Sequence, residues 1–189
     1  MKGKKLSISL IVVLCALGIN SAHAVRISLM GIGTYANYAI SDTTSVTPRG
    51  SYGGGLWFTF PFGRVVALDL GANYLQNQIG ISSAVLNYTY VNFPALLTFS
   101  FLKFFPIYAG GYYSLALSTA TTVGSITTTA TTGLKNDYGF EGGAGFRIPL
   151  GSKLKLRIDG LYQYGMANIS SGSATQYSRS LLGQIGIMF

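Results

Sequence analysis

Charge is scarce in this chain of 189 residues, of which only 10% are Asp, Glu, Lys or Arg. An ordinary soluble domain carries about 25%. A chain so poor in charge does not readily cover itself with a solvated face. Long apolar runs are also missing. After residue 24 no window offers the 18 or more consecutive apolar residues that a membrane helix needs. Disorder is excluded by a hydrophobic content of 49% and an aromatic content of 13%. Cysteine and histidine occur once each, as Cys15 and His23. Residues 25–189 therefore have no disulfide, no thiolate metal site and no imidazole. No cofactor or metal is expected.

The first 24 residues form a unit of their own. Lys2, Lys4 and Lys5 precede the apolar run Leu6 to Ile19, and Ser21-Ala22-His23-Ala24 ends on a small-x-small pattern. This order predicts a secretory signal peptide over 1–24, removed after Ala24. The alternative is an uncleaved anchor, for which the apolar run is short. Leu14 stands where a lipoprotein signal would place a small residue before Cys15. The mature domain is then 25–189, with ten basic residues against five acidic. That excess contains no basic run, and an exported chain is an improbable nucleic-acid partner, so none is expected.

From Val25 onward, glycine alternates with β-branched and aromatic residues, and helix-period stripes are absent. Eight strands are predicted near 25–40, 51–62, 65–76, 87–101, 105–118, 138–148, 154–167 and 177–189. The connections between them run long, short, long, short, long, short, long. The long ones are 41–50, 77–86, 119–137 and 170–176. The short ones centre on Phe62-Gly63-Arg64, Leu102-Lys103-Phe104 and 149–153. Long extracellular loops alternating with short periplasmic turns are the pattern of an outer-membrane barrel. Pro94 falls inside the fourth segment, where it removes a ladder hydrogen bond. A bulge, a locally unpaired site or a break in the strand is expected there.

Side chains within the segments repeat at period two. Leu154, Leu156, Ile158, Tyr162 and Tyr164 share one face, and Lys155, Arg157, Asp159 and Gln163 the other. Phe140, Ala144, Phe146 and Ile148 alternate with Glu141 and Arg147, and Leu68 and Leu70 with Asp69. A soluble barrel would turn the apolar face inward, whereas a membrane barrel turns it outward. The few charges, balanced in sign and set among Gly, Ser and Thr, favour the membrane arrangement. Tyrosines gather toward the long-loop end and phenylalanines toward the short-turn end. That segregation matches two interfacial girdles.

With these segments, this loop order and the final stretch YSRSLLGQIGIMF, the chain resembles the small eight-stranded outer-membrane barrels of the OmpA/OmpX type. The resemblance covers 25–189. It implies an all-β fold: an eight-stranded antiparallel up-and-down transmembrane β-barrel in the outer membrane of a Gram-negative cell. It also implies that Phe189 belongs to the signal read by the outer-membrane insertion machinery. The periplasmic peptidoglycan-binding domain of OmpA proper has no counterpart, so anchoring to the cell wall is not implied. Related barrel enzymes rely on a histidine, which 25–189 lacks. Asp42 and Asp137 lie in connections without a partner base. No G-x-S-x-G, H-E-x-x-H or phosphate loop occurs, and the chain is not expected to be an enzyme.

Candidate sites follow from the two faces. Arg26, Asp69, Glu141, Arg147, Lys155, Arg157 and Asp159 are expected to point into the lumen. An eight-stranded bore is only wide enough for side chains to fill, and enclosed charges must pair. A salt-bridged plug results, with a gated path for ions or small solutes as the alternative. Arg179, facing outward near the top of the last strand, is placed either to meet a lipopolysaccharide phosphate or to snorkel at the interface. The loops, made of Thr, Ser, Gly and Ala, offer a surface for an extracellular ligand. A structural or surface-interaction role, adhesion-like in kind, is the expectation. Membrane lipids, lipopolysaccharide and the insertion machinery are the expected partners.

Overall fold

A computed structural model describes residues 25–40, 46–81, 84–102, 104–130, 135–170 and 175–189. The segment read as a signal peptide, and Asp42, lie outside the described residues. The strands are β1 (Arg26–Ile40), β2 (Val46–Pro61), β3 (Val66–Ile81), β4 (Ala84–Leu102), β5 (Phe105–Val123), β6 (Ile126–Ala130), β7 (Asp137–Pro149), β8 (Lys155–Gly165) and β9 (Gln176–Met188). Every sequential neighbour in the wall pairs antiparallel, and β1 also pairs with β9, which closes an eight-stranded barrel. The ninth strand, β6, lies outside the wall and pairs only with the outer end of β5.

Period-two alternation builds this wall. Along β1, Ser28, Met30, Ile32, Thr34, Ala36 and Tyr38 are buried, while their odd-numbered neighbours are exposed. The same alternation exposes Leu56 and Phe58 on β2, Phe140 and Phe146 on β7, and Leu181 and Ile185 on β9. Following partners around the barrel from Arg26, through Thr59, Asp69, Leu96, Gly110, Glu141, Gln163 and Ser180, leads back to Ala36. The circuit climbs ten residues on the starting strand. Such a shear across eight strands implies a tilt of roughly 40°.

Three connections differ from the sequence expectation. Residues 46–50, 77–81, 84–86, 119–123 and 126–130 are strand rather than loop. Their Val, Ile and Thr content suits a pleated ribbon, so the hairpins extend past the wall instead of ending in coil. The β3–β4 connection shrinks to residues 82–83. At β5–β6 the reversal takes two residues, and Gly124 supplies the left-handed φ of 60° that it requires.

Pro94 neither breaks β4 nor creates a bulge. The β3–β4 pairing passes from Leu70↔Ala95 to Asn73↔Asn92 with its register unchanged, and omits the partners between. The missing N–H of Pro94 falls in that gap. Opposite it stands Gly71, where a Cβ would lie 2.7 Å from Pro94 Cγ and 3.0 Å from the indole of Trp57. Glycine at 71 thus admits both the proline ring and the only tryptophan of the chain.

Gly71→Val should therefore displace Trp57 and destabilise the barrel by about 1–3 kcal/mol, the usual range for overpacking. The shift in tryptophan emission and the denaturant midpoint report it. Gly183→Ala, at a position with open space around it, should leave both unchanged.

Candidate functional site: the filled bore

The short turns at 62–65 and 150–154, closed by Phe62 N–H to Val66 O and Leu150 N–H to Leu154 O, mark the periplasmic end. The bore fills in layers from there upward. The first full layer is ionic. Arg157 on β8 is completely buried and reaches the facing wall, where its Nη2 lies 3.1 Å from Asp69 Oδ2 on β3. Its Nε donates to Asp159 Oδ2 at 2.5 Å. Arg147 Nη1 donates to Asp159 Oδ1 at 2.7 Å, and the Tyr108 hydroxyl donates to the same oxygen at 2.9 Å. Arg147 Nη2 also contacts the Tyr108 hydroxyl. Two cations and two carboxylates cancel.

Aromatic faces complete this layer. The Arg157 guanidinium carbon sits 4.8 Å from the centre of the Trp57 ring and 5.7 Å from that of Tyr108. Neither oxygen of Asp69 makes an aligned hydrogen bond, so its contact with Arg157 is one of charge. The rings take up the guanidinium faces that no acceptor reaches.

Beside and above the ions lies an apolar cluster that corrects the sequence expectation. Met30, Ile32, Trp57, Leu75, Leu96, Leu161 and Leu182 are buried together inside the bore. The expectation sent apolar side chains to lipid and left the interior to ions and small residues. The structure places apolar residues on both sides of the wall. A bore that holds no bulk water has no need of a polar lining at every level.

Higher still, Tyr38, Tyr88 and Tyr90 pack with Ile79 and Ile169, the rings of Tyr38 and Tyr88 centred 5.4 Å apart. Just below, the Tyr112 hydroxyl donates to Asp137 Oδ2 at 2.8 Å. These residues correct two expectations. Asp137 opens β7 and is buried, rather than lying in a connection without a partner. Five of the tyrosines, including Tyr108, face inward, so only the other eight can belong to an outer girdle. Strand parity carried this signal, since Tyr88 and Tyr90 share it with the buried Asn92.

The seven charges singled out in the sequence divide three ways. Asp69, Arg147, Arg157 and Asp159 form the ionic layer. Glu141 stands above it, accepting from Gln163 Nε2 at 2.6 Å, with no cation paired to it among the described residues. Arg26 and Lys155 share the inward parity but stay at the periplasmic mouth, exposed and half-buried respectively, also without an ion pair among the described residues. Sequence reasoning missed Trp57 and Tyr108. Neither is charged, and only register brings them to Arg157.

On the outer wall, Arg179 lies flat over Tyr164, its guanidinium carbon 3.5 Å from the ring centre. Its Nη1 donates to Gly165 O and Ser178 O, each at 2.7 Å. At the other end, Phe189 is exposed on the outer wall and its N–H donates to Ile27 O at 2.8 Å.

Removing Arg157 leaves two enclosed carboxylates facing each other across the bore. Arg157→Gln should cost about 3–5 kcal/mol, as expected for one partner of a buried pair. Asp69→Asn should cost less, because Arg157 keeps Asp159. Urea midpoints, followed by Trp57 emission, give the order.

A family model described as an outer membrane protein beta-barrel domain matches residues 15–171. No curated protein matches the chain significantly. Among solved structures, Neisserial surface protein A is similar at a TM-score of 0.56 and 11% identity, over 88% of this chain and 98% of that one. The outer membrane protein OprG of Pseudomonas aeruginosa is similar at 0.55 and 15%, over 87% and 94%. The attachment invasion locus protein Ail of Yersinia pestis is similar at 0.51 and 12%, over 87% and 97%. At such identities the likeness is one of fold. With the model match covering most of the chain, and a closed eight-stranded wall whose outer face is apolar, the chain belongs to the outer membrane protein β-barrel domain family and resides in the outer membrane.

Proposed function

We propose that this barrel is a closed, non-enzymatic scaffold that acts at the cell surface through its extracellular hairpins. The filled bore carries the reading. A neutral ionic layer alone would leave a polar track that water and ions could follow when a salt bridge opens. Here the apolar layer of Met30, Leu96, Leu161 and Leu182 lies directly above it. An ion crossing that level loses most of its hydration and meets only a few buried polar groups, Asn73, Asn92, Glu141 and Gln163 among them, at high cost. The absence of histidine after residue 23 supports a non-catalytic role.

The β5–β6 hairpin supports the surface role. It pairs from Thr119↔Ala130 to Val123↔Ile126, and its tip exposes Val123 and Ile126. Among the described residues, the outer edge of β6 has no strand partner. An unpaired edge offers a row of N–H and C=O groups on which an extended ligand segment can add. Arg179, fixed over Tyr164 on the outer wall, is the proposed contact for a lipopolysaccharide phosphate.

In planar bilayers the refolded protein should give no steady conductance steps, and Arg157→Gln should stay silent because the apolar layer remains. Combining Arg157→Gln with Leu161→Ala and Leu182→Ala should open the bore. Reproducible openings of the unaltered protein, changed by replacing Asp69 or Arg157, would establish the narrow channel instead.

Replacing residues 119–130 by a tight turn should leave heat-modifiable gel migration intact. It should abolish retention of displaying cells on immobilised extracellular-matrix protein. Equal retention with and without the hairpin would remove it from the surface role.

A further inference from the structure

The charges are unevenly shared between the two ends of the barrel. Among the described residues, the periplasmic end holds Arg26, Arg64, Arg147, Lys153, Lys155 and Arg157 against Asp69 and Asp159. Both carboxylates are already matched by Arg147 and Arg157. The rest of the cationic charge is unspent. Arg26, Arg64 and Lys155 have no ion pair among the described residues, yet all three line one open vestibule of about 710 Å³ in the periplasmic mouth. Lys155 stands within electrostatic reach of both Arg26 and Arg147. Asp69 also lines the vestibule, but its charge is matched by Arg157, so folding holds the remaining like charges together at some cost.

The floor of the vestibule adds a second, independent observation. Thr59 and Thr98 line it and are each 5% exposed. Neither hydroxyl has a hydrogen-bond partner among the described residues. A buried hydroxyl without a partner carries a desolvation cost. Two such donors beneath a ring of cations are placed to meet oxygen acceptors.

We propose that the periplasmic vestibule is a binding site for a small multivalent anion bearing phosphate or carboxylate groups. Arg26, Arg64 and Lys155 hold its charges, and Thr59 and Thr98 donate to its oxygens. Arg147, with its charge already shared with Asp159, forms the inner edge. The site faces the periplasm and the barrel wall separates it from lipid, so the ligand comes from water. Two periplasmic sources offer this chemistry: free phosphate compounds and the carboxylates of cell-wall stem peptides. The site does not depend on what the extracellular hairpins do. It lies below the sealed layers, so binding there requires no passage through the bore.

The test uses the refolded full-length barrel in zwitterionic detergent. Inorganic tripolyphosphate and a soluble muropeptide with free carboxylates are titrated separately by calorimetry. Backbone amide shifts of Thr59 and Thr98 are followed by NMR on the unaltered protein. Saturable binding of at least one probe is expected, with shifts confined to the periplasmic mouth and affinity falling as salt rises. Arg26→Gln with Lys155→Gln should weaken it at least tenfold. Arg49→Gln, which removes a cation from the opposite end, should not change it.

Thr98→Val provides a second variant with the charges intact and should weaken binding several-fold. Binding of tripolyphosphate alone assigns the site to free phosphate compounds. Loss of muropeptide binding on amidation of its carboxylates assigns it to the cell wall. The proposal is overturned if neither probe saturates, or if the double variant binds as the unaltered protein does.

Discussion

A bore packed with inward side chains governs the rest of this molecule. Eight strands at a shear of ten close the wall and leave no free backbone edge in it. They also bring opposite walls near enough for one arginine to span them. Every inward side chain must then fill space, satisfy its polar atoms, or be glycine. Arg157 fills space and balances charge at one level: it crosses to Asp69, holds Asp159, and rests against Trp57 and Tyr108. Gly71 yields the volume that Trp57 needs beside Pro94. The ionic layer is thus a packing solution as much as an electrostatic one.

The layers above it divide two tasks. Apolar residues fill much of mid-height, and the tyrosines with Asp137 pack toward the extracellular end while satisfying some of its polar atoms. A single salt bridge would be a fragile seal, because its partners can exchange water for one another. Stacking an apolar level on an ionic one removes that weakness. The outer wall needs only to be apolar, and it tolerates Leu, Ile, Phe and Val with little regard to shape.

Much of this was legible in the sequence because period two is strict on a closed sheet. Leu156 against Arg157, and Phe146 against Arg147, fixed which face met lipid, and the short turns fixed which end faced the periplasm. Strand ends were less visible, because Thr-rich segments such as 119–130 are polar like loops yet β-branched like strands. The interior contacts were hidden for a different reason. Arg157 meets Asp69 across the bore, from strands far apart in the chain, and nothing local marks the pair. The apolar level was missed because Leu96, Leu161 and Leu182 look the same whether they face lipid or the lumen. Only their parity relative to Asp159 and Gln184 separates them.

The β5–β6 hairpin has one more consequence, for assembly. Its twelve residues, 119–130, include no ionisable side chain. To reach the exterior, this overhang must be carried across the hydrocarbon layer. Each charged group on it would add several kilocalories per mole to that barrier. A threonine ribbon that satisfies its own backbone by pairing presents a far smaller obstacle. Most of the described cations sit at the opposite rim and are spared the crossing, which leaves Arg49, Lys135 and Arg179 at the outer end. An overhang free of charge can thus be threaded outward at little cost while the periplasmic end stays basic.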